Sequence, residues 1–263
     1  MRLYTISLII YIITFSSISH SYNRNSLYIG LSNYITKQTR MENATHNISN
    51  KNTIGYEETD LLLRPYYNPQ KTKNKQTYFV VAEKTYISHK KGNTKITNRN
   101  LDVAISGEGY FKLLTPKGYR YTLNGNMLTN NEGMLVDYNG NFYLDQTNQP
   151  IAIPENIQLH INDNGVIVNS RDQDEIGQIG VFIIPDKSFL IKEGENLYLS
   201  KVGDIVAEDD QYNLVSGALR ISNVDEVQNI ARFTEMSDSI RATNTIISDY
   251  FKMEKDAIDK ITR

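Results

Sequence analysis

Apolar residues recur near both ends of this chain at alternating spacings of four and three. Such spacing keeps the residues on one face and predicts an amphipathic helix at each end. The N-terminal stripe contains Leu27, Leu31, Tyr34, Gln38, Met41, Thr45, Ile48 and Asn52. The C-terminal stripe contains Ile230, Phe233, Ser237, Ile240, Asn244, Ile247, Phe251, Glu254, Ile258 and Ile261.

Polar residues interrupt both stripes, and a polar position in a helical seam costs stability while it defines register and partner. The C-terminal stripe also continues for many turns, with charged residues on the other faces. A helix this long buries little unless it packs on something. We therefore expect the two ends to pack on each other or on neighbouring copies. The alternative is a pair of amphipathic helices that cap one globular domain.

The residues between the two helical ends read as a hairpin-rich β domain. Short β-branched and aromatic runs alternate with turn signals at Lys117-Gly118, Glu132-Gly133, Asn139-Gly140, Asp163-Asn164-Gly165 and Glu193-Gly194. The pattern predicts an α+β fold, with paired terminal helices in a coiled-coil-like domain and a central, mainly antiparallel β domain. We expect a helix over 25–55, an extended linker over 56–77, the β domain over 78–221 and a helix over 222–263.

Composition excludes several classes of protein. The 263 residues are 40% hydrophobic, which is enough for a substantial core, and the formal net charge is -2. The protein as a whole therefore has no positive electrostatic field that would attract nucleic acid. The chain contains no cysteine, so disulfides and thiolate sites are excluded. Residues 1–24 combine Arg2, an apolar run over 6–15 and a small polar stretch, which predicts a signal-like extension that is removed between about Ser19 and Asn25.

The sequence offers no pattern typical of a catalytic or metal site. The four histidines, His20, His46, His89 and His160, have no ligand spacing. Residues 172–177 (DQDEIG) begin like a calcium loop, but Ile176 and Ile183 occupy ligand positions, so we expect an acidic turn. No small-molecule substrate, nucleic acid or cofactor is expected. A local run of basic residues favours a solvated, extended segment and comprises Lys71, Lys73, Lys75, Lys84, Lys90, Lys91, Lys95 and Arg99.

Three motifs, in order along the chain, resemble the flagellar rod and hook protein family. Residues 47–56 (NISNKNTIGY) are similar to the N-terminal signature N-x-A-N-x-x-T-x-G-F, residues 101–111 (LDVAISGEGYF) to the second motif, and residues 217–225 (GALRISNVD) to the third. The matching motif residues are Asn47, Asn50, Thr53, Gly55, Asp102, Gly107, Gly109, Ser222 and Asn223. Segments 121–126, 133–136 and 150–154 also follow in family order, and the resemblance covers about residues 25–263.

The resemblance implies a non-enzymatic structural subunit of the bacterial flagellar basal body, more similar to proximal-rod than to distal-rod members. It implies export by the flagellar type III apparatus and helical stacking in the periplasm, with copies of itself and neighbouring rod proteins as partners. The seam residues would then form the assembly interface. Two positions depart from the family pattern: Arg220 stands where an acidic residue is usual, and Lys51 where a small one is usual.

A function from a different class also agrees with the composition. The chain has 18 tyrosines and no tryptophan, and aromatic side chains suit both strands and carbohydrate stacking sites. A secreted β-domain protein that binds or hydrolyses carbohydrate is therefore the alternative hypothesis. In such a protein the helical ends would be dispensable.

Overall fold

The computed structural model describes residues 29–67, 78–88, 90–154, 158–208 and 210–261. The predicted extension over 1–24, seam residue Leu27 and the basic residues Lys71, Lys73 and Lys75 lie outside this part. The elements in chain order are helix α1 (29–49), β1 (Thr59–Tyr67), β2 (Tyr78–Ile87), β3 (Thr94–Ile96), β4 (Val103–Gly107), β5 (Tyr110–Thr115), β6 (Gly118–Thr122), β7 (Leu128–Thr129), β8 (Leu135–Val136), β9 (Phe142–Tyr143), β10 (Leu159–Ile161), β11 (Val166–Asn169), β12 (Glu175–Gln178), β13 (Val181–Ile183), β14 (Leu190–Lys192), β15 (Tyr198–Ser200), β16 (Ile205–Val206), β17 (Tyr212–Ser216), β18 (Ala218–Arg220) and α2 (Glu226–Ile261).

Along the chain, one helix precedes and another follows a mainly antiparallel β region, so the chain is an α+β protein as predicted. It divides into two compact units. The first, the helical unit, contains the described residues of Met1–His46, Asp60–Tyr86 and Val227–Arg263. The second, the β unit, contains Asn47–Thr59 and Ile87–Glu226.

In the helical unit, strands β1 and β2 form a two-stranded sheet. The hydroxyls of Ser32 and Thr36 on α1 both donate to the carbonyl of Val80, each at 2.8 Å. Arg232 on α2 lies 3.6 Å from the carboxylate of Asp60 at the start of β1. Because two strands alone are marginally stable, these bonds to the helices explain why the hairpin belongs to this unit.

Part of α1 and the first turns of α2 line one cavity of about 250 Å3 in the helical unit. Ala44 and Met236 are buried among its walls. The remaining lining residues are mostly polar: Arg40, Asn43, Asp60, Leu61, Asn229, Arg232 and Glu235. Toward the other end of α2, every described residue from 251 to 260 is exposed.

The largest sheet of the β unit runs in the order β14-β15-β6-β5-β9-β8-β7, and β13 joins β5 to β16. Smaller sheets pair β10-β11-β12, β17-β4 and β18-β3. All these pairs are antiparallel. Strand β5 is buried at four successive residues, because both of its faces are covered. The aromatic core there includes Phe111 and Tyr143, whose rings meet edge to face at 6.0 Å.

Element boundaries differ from the sequence expectation at three places. Helix α1 ends at residue 49 rather than at Gly55, because a turn follows in which the amide of Thr53 bonds to the carbonyl of Asn50. The expected linker contains strand β1. Helix α2 begins at Glu226 rather than Ser222, since Ser222 and Asn223 use their side chains in other hydrogen bonds.

Candidate functional site

Asn47 is the hub of the first motif and is fully buried. Its Nδ2 donates to the carbonyl of Thr59 at 2.8 Å. Its Oδ1 accepts from the Tyr56 hydroxyl at 3.0 Å, from the Thr59 amide at 3.1 Å and from the Thr59 hydroxyl at 3.3 Å. The amide side chain supplies a donor and an acceptor at one position, so this residue closes the segment from 47 to 59 into a compact loop.

The remaining residues of the first motif shape that loop. The Thr53 hydroxyl donates to Asn50 Oδ1 at 3.1 Å. Gly55 has φ +67°, and an added Cβ would lie 2.4 Å from the carbonyl carbon of Leu123. Its amide donates to the carbonyl of Arg220 at 2.7 Å. Two features of this position therefore require glycine: the left-handed backbone conformation and the close contact with another backbone segment.

The third motif meets the first at Asn223, whose backbone amide donates to the carbonyl of Tyr56 at 3.4 Å, while its side chain bonds to neighbouring segments. Its Oδ1 accepts from the Glu58 amide at 2.6 Å, and its Nδ2 donates to the carbonyl of Lys90 at 2.6 Å. Ser222 uses its hydroxyl to accept from the Val224 amide at 3.3 Å. One asparagine thus ties the chain entering the β unit to the chain leaving it.

The second motif lies beside these two. Asp102 is buried, accepts a hydrogen bond from Asn126 Nδ2 at 3.2 Å, and pairs with Arg99 at 3.3 Å. Gly107 and Gly109 have φ of +126° and +118°. A Cβ would meet the Gln211 carbonyl at the first and the Val181 side chain at the second. The structure thus places all three motifs in the β unit, around one junction where the chain enters and leaves.

A cluster of buried charges that the sequence analysis did not predict occupies this junction. The Glu57 carboxylate accepts from the Tyr110 hydroxyl at 3.1 Å and lies 3.7 Å from the Arg220 guanidinium. Lys192 Nζ donates to the Glu57 carbonyl at 2.8 Å. Burial raises the pKa of Glu57, and Arg220 and Tyr110 oppose that rise. The partners of Glu57 lie at least 53 residues away along the chain, so no local pattern could reveal them.

The ammonium of Lys192 lies beside aromatic rings and is partly shielded from water. This ammonium lies 3.1 Å from the centroid of the Tyr56 ring and 5.9 Å from that of Tyr198. Burial lowers the pKa of Lys192 to about 7, and the carboxylate of Glu57 opposes this shift. The lysine therefore changes charge in the neutral range, far below the usual range of an exposed lysine.

Lys192 should make the stability of the β unit rise with pH between about 7 and 9. In this window the unfolded chain holds the lysine proton and the folded chain releases it, so the unfolded state binds more protons and rising pH favours folding. Thermal unfolding measured from pH 6 to 9 should show a steeper rise in midpoint for the unmodified chain than for Lys192→Met. Parallel curves for the two proteins would contradict the assignment.

Arg220 and Lys51, the two residues that depart from the family pattern, each pair with a carboxylate in the β unit. Arg220 faces Glu57, as described, and Lys51 Nζ lies 2.5 Å from the carboxylate of Glu226. The first pair is buried and the second is partly exposed. Each unusual positive charge thus meets a carboxylate from another segment of the same junction.

The predicted seam residues are partly exposed in the single chain. Tyr34, Met41, Ile48, Ile240 and Ile247 are half-buried. The exposed members are Leu31, Asn52, Ile230, Phe233, Asn244, Phe251 and Ile258. Asn52 lies beyond the end of α1. The face that α2 buries in its first turns is displaced by one residue from the predicted seam, since Asn229 and Arg232 replace Ile230 and Phe233.

Comparison with known proteins agrees with the motifs. The flagellar hook protein FlgE/F/G D1 domain matches residues 104–169. The flagellar basal-body rod protein FlgF of Caulobacter vibrioides is 28% identical over 241 residues, which cover 90% of this chain and 98% of that protein. FlgF of Mesorhizobium japonicum is 25% identical, with coverage of 89% and 97%.

FlgG of Bacillus subtilis, also a flagellar basal-body rod protein, is 30% identical over 236 residues, which cover 80% of this chain and 88% of that protein. The similarity thus extends over most of this chain and most of each of these relatives. The chain belongs to the family of flagellar basal-body rod proteins.

Proposed function

We propose that this chain is a structural subunit of the bacterial flagellar basal-body rod. The observation that carries the proposal is the similarity to rod proteins over nearly their whole length, together with the meeting of all three motifs at one junction. The residues at that junction hold backbone segments together and do not present a reactive group to a substrate. We therefore assign the chain no enzymatic role.

The rod role includes self-assembly and transmission of torque for motility. Exposed apolar residues on both helices support it: Leu31 and Ile35 on α1 are 46% and 55% exposed, and Phe251 on α2 is 52% exposed. Burial of these side chains against other subunits would remove apolar surface from water. The partners would be copies of this chain and neighbouring rod proteins.

Within one subunit, we expect α1 and α2 to pair as a coiled-coil-like domain. The shared cavity lined by Ala44 of α1 and Met236 of α2 supports an approach of the two helices near one end. Long helices gain most of their stability from packing, so contact with other subunits would stabilise the exposed half of α2. Export by the flagellar type III apparatus and a position in the periplasmic part of the basal body complete the proposal.

The relatives include both FlgF and FlgG, so the subunit could belong to the proximal or to the distal rod. The spacing of the motifs along the chain favours the proximal rod. The alternative of a secreted carbohydrate-binding or hydrolytic protein has no support from the relatives described above, which are rod proteins.

Electron cryo-microscopy of basal bodies isolated from the host, with a small epitope label on this chain, tests the proposed function. Label density confined to the rod is the expected result. Basal bodies that are complete but unlabelled would contradict it.

Phe251→Asp should abolish incorporation into the rod while the β unit remains folded. Phe251 is exposed in the single chain, so the substitution leaves the monomer intact, but in an apolar interface it would bury an unpaired charge at a cost of several kcal/mol. Recovery of the variant in isolated basal bodies measures incorporation, and circular dichroism of the purified chain measures folding.

Met253→Asp is the matched control for this variant. Met253 is 65% exposed on the same helix but lies off the predicted seam, so this change should allow incorporation. Equal loss with both substitutions would show that the seam does not define the interface.

A further inference from the structure

A charged cavity of about 230 Å3 lies in the β unit. Glu57, which directly follows the first motif, the 107–109 loop of the second motif and Arg220 of the third form its walls. Lys91, which is exposed, and Lys187, which is half-buried, also line it. Three positive side chains thus face this space, opposed by the carboxylates of Glu57 and Glu108.

Arg220 is the buried base of the cavity. Only 8% of the residue is exposed, and its single ion pair, with Glu57, spans 3.7 Å, which is longer than a hydrogen bond. Among the residues that the structure describes, no acceptor hydrogen-bonds its guanidinium. Because the guanidinium has five donors and lines the cavity, it can bind an additional anionic group there.

The two lysines at this cavity are also available to an anion. Within the described residues, neither Lys91 nor Lys187 forms an ion pair with a carboxylate. The Lys187 ammonium lies 6.0 Å from the centroid of the Tyr110 ring. Together with Arg220 they give the cavity one more positive than negative side chain.

An exposed acidic turn lies elsewhere on the same unit. The turn between β11 and β12 carries Asp172 and Asp174, and Glu175 follows as the first residue of β12; all three are exposed, against one basic residue, Arg171. Its start is Asn169, which pairs with Leu159. The carbonyl of Leu159 accepts from Asn100 at 2.8 Å, near the beginning of β4.

The cavity lies toward the other end of β4. Gly107, the last residue of β4, lines the cavity and pairs with Tyr212. The Tyr212 hydroxyl donates at 3.3 Å to the carbonyl of Asn164, in the turn that precedes β11. The acidic turn follows β11, so strands β4 and β11 separate the two surfaces.

We propose that the cavity formed by Arg220, Lys187 and Lys91 receives the acidic turn of a second copy of this chain. The proposal rests on the proposed rod function and names one contact within it. A contact between two different surfaces of the same unit is head-to-tail, and repetition of such a contact produces a ring or an open helix rather than a closed two-fold dimer. Arg220, which departs from the family pattern, would then be the feature that makes the contact specific to this chain.

Disulfide cross-linking tests this contact directly because the chain has no cysteine of its own. The full chain carrying both Lys187→Cys and Asp174→Cys is produced in the host, and basal bodies are isolated and oxidised. Head-to-tail copies should yield a ladder of covalent oligomers on a non-reducing gel. Each single-cysteine chain is the control and should form no product larger than a dimer.

Charge reversal provides a second measurement. Lys187→Glu and Asp174→Lys should each reduce incorporation about tenfold, by like-charge repulsion at the contact, and the two together in one chain should restore it. Glu132→Lys, at an exposed turn elsewhere in the β unit, should have no effect. Circular dichroism confirms that each variant is folded.

The outcomes separate the contact from the rod function. Labelled rods without a ladder and without charge-swap rescue would overturn the contact while the rod function stands. Absence of the unmodified chain from complete basal bodies would overturn the rod function and the contact with it.

Discussion

Gly55→Ala should destabilise the β unit by about 2–5 kcal/mol. The left-handed backbone at φ +67° costs a residue with a Cβ about 1–2 kcal/mol. The new methyl group would also lie 2.4 Å from the carbonyl carbon of Leu123 and 2.5 Å from the amide of Asn124. Backbone atoms cannot rotate away as a side chain can, so overpacking adds about 1–3 kcal/mol. Urea unfolding followed by circular dichroism measures the loss.

Gly118→Ala separates the two contributions. Gly118 also has a positive φ, of +95°, but no heavy atom lies within 4 Å of an added Cβ. It should therefore show only the conformational cost. If Gly55→Ala and Gly118→Ala are equally destabilising, the contact between the first motif and the backbone at Leu123 has no energetic role.

Asn47→Ala should destabilise the β unit by about 2–5 kcal/mol. The substitution removes four hydrogen bonds from a fully buried position, and each is worth about 0.5–1.5 kcal/mol net. The loop from 47 to 59 would lose the contact that closes it, so the chain entering the β unit should loosen. Thermal unfolding and amide hydrogen exchange at Thr59 measure both effects.

Two further asparagine variants control for this result. Asn52→Ala, an exposed position of the same motif, should change stability by less than about 0.5 kcal/mol. Asn47→Asp keeps the acceptor that serves Tyr56 and Thr59 but places a buried carboxylate against the Thr59 carbonyl, so at neutral pH it should destabilise the β unit at least as much as alanine. A stable Asn47→Ala protein would show that the family signature is not maintained by folding.

The sequence alone predicted the elements whose signals are local. The turn prediction is confirmed at Gly118, Gly133, Gly140 and Gly165, which all have positive φ, because a tight turn needs a residue that tolerates that backbone conformation. At the fifth predicted turn the positive φ falls on Glu195 and Asn196 instead of Gly194. The choice of residue there depends on contacts from outside the turn, including the bond of Asn196 to the Ile54 carbonyl.

The strand in the expected linker shows where local signals fail. Pro65 and two tyrosines made 56–77 resemble an irregular strap, but β1 pairs with β2 and both belong to the helical unit. The Ser32 and Thr36 hydroxyls that bond to Val80 lie more than 40 residues away. A strand that depends on side chains of a distant helix leaves no periodic signal of its own.

The amino-acid sequence by itself determined the α+β class, the hairpin turns and the family, because each depends on neighbouring residues or on motifs that stand in order along the chain. Only the tertiary structure decided which helix faces are buried and how Glu57, Tyr110, Lys192 and Arg220 meet at the junction. Burial of a helix face is set by the surface against which it packs, as the one-residue displacement at Asn229 shows. A charge cluster assembled from four distant segments exists only after the strands have paired.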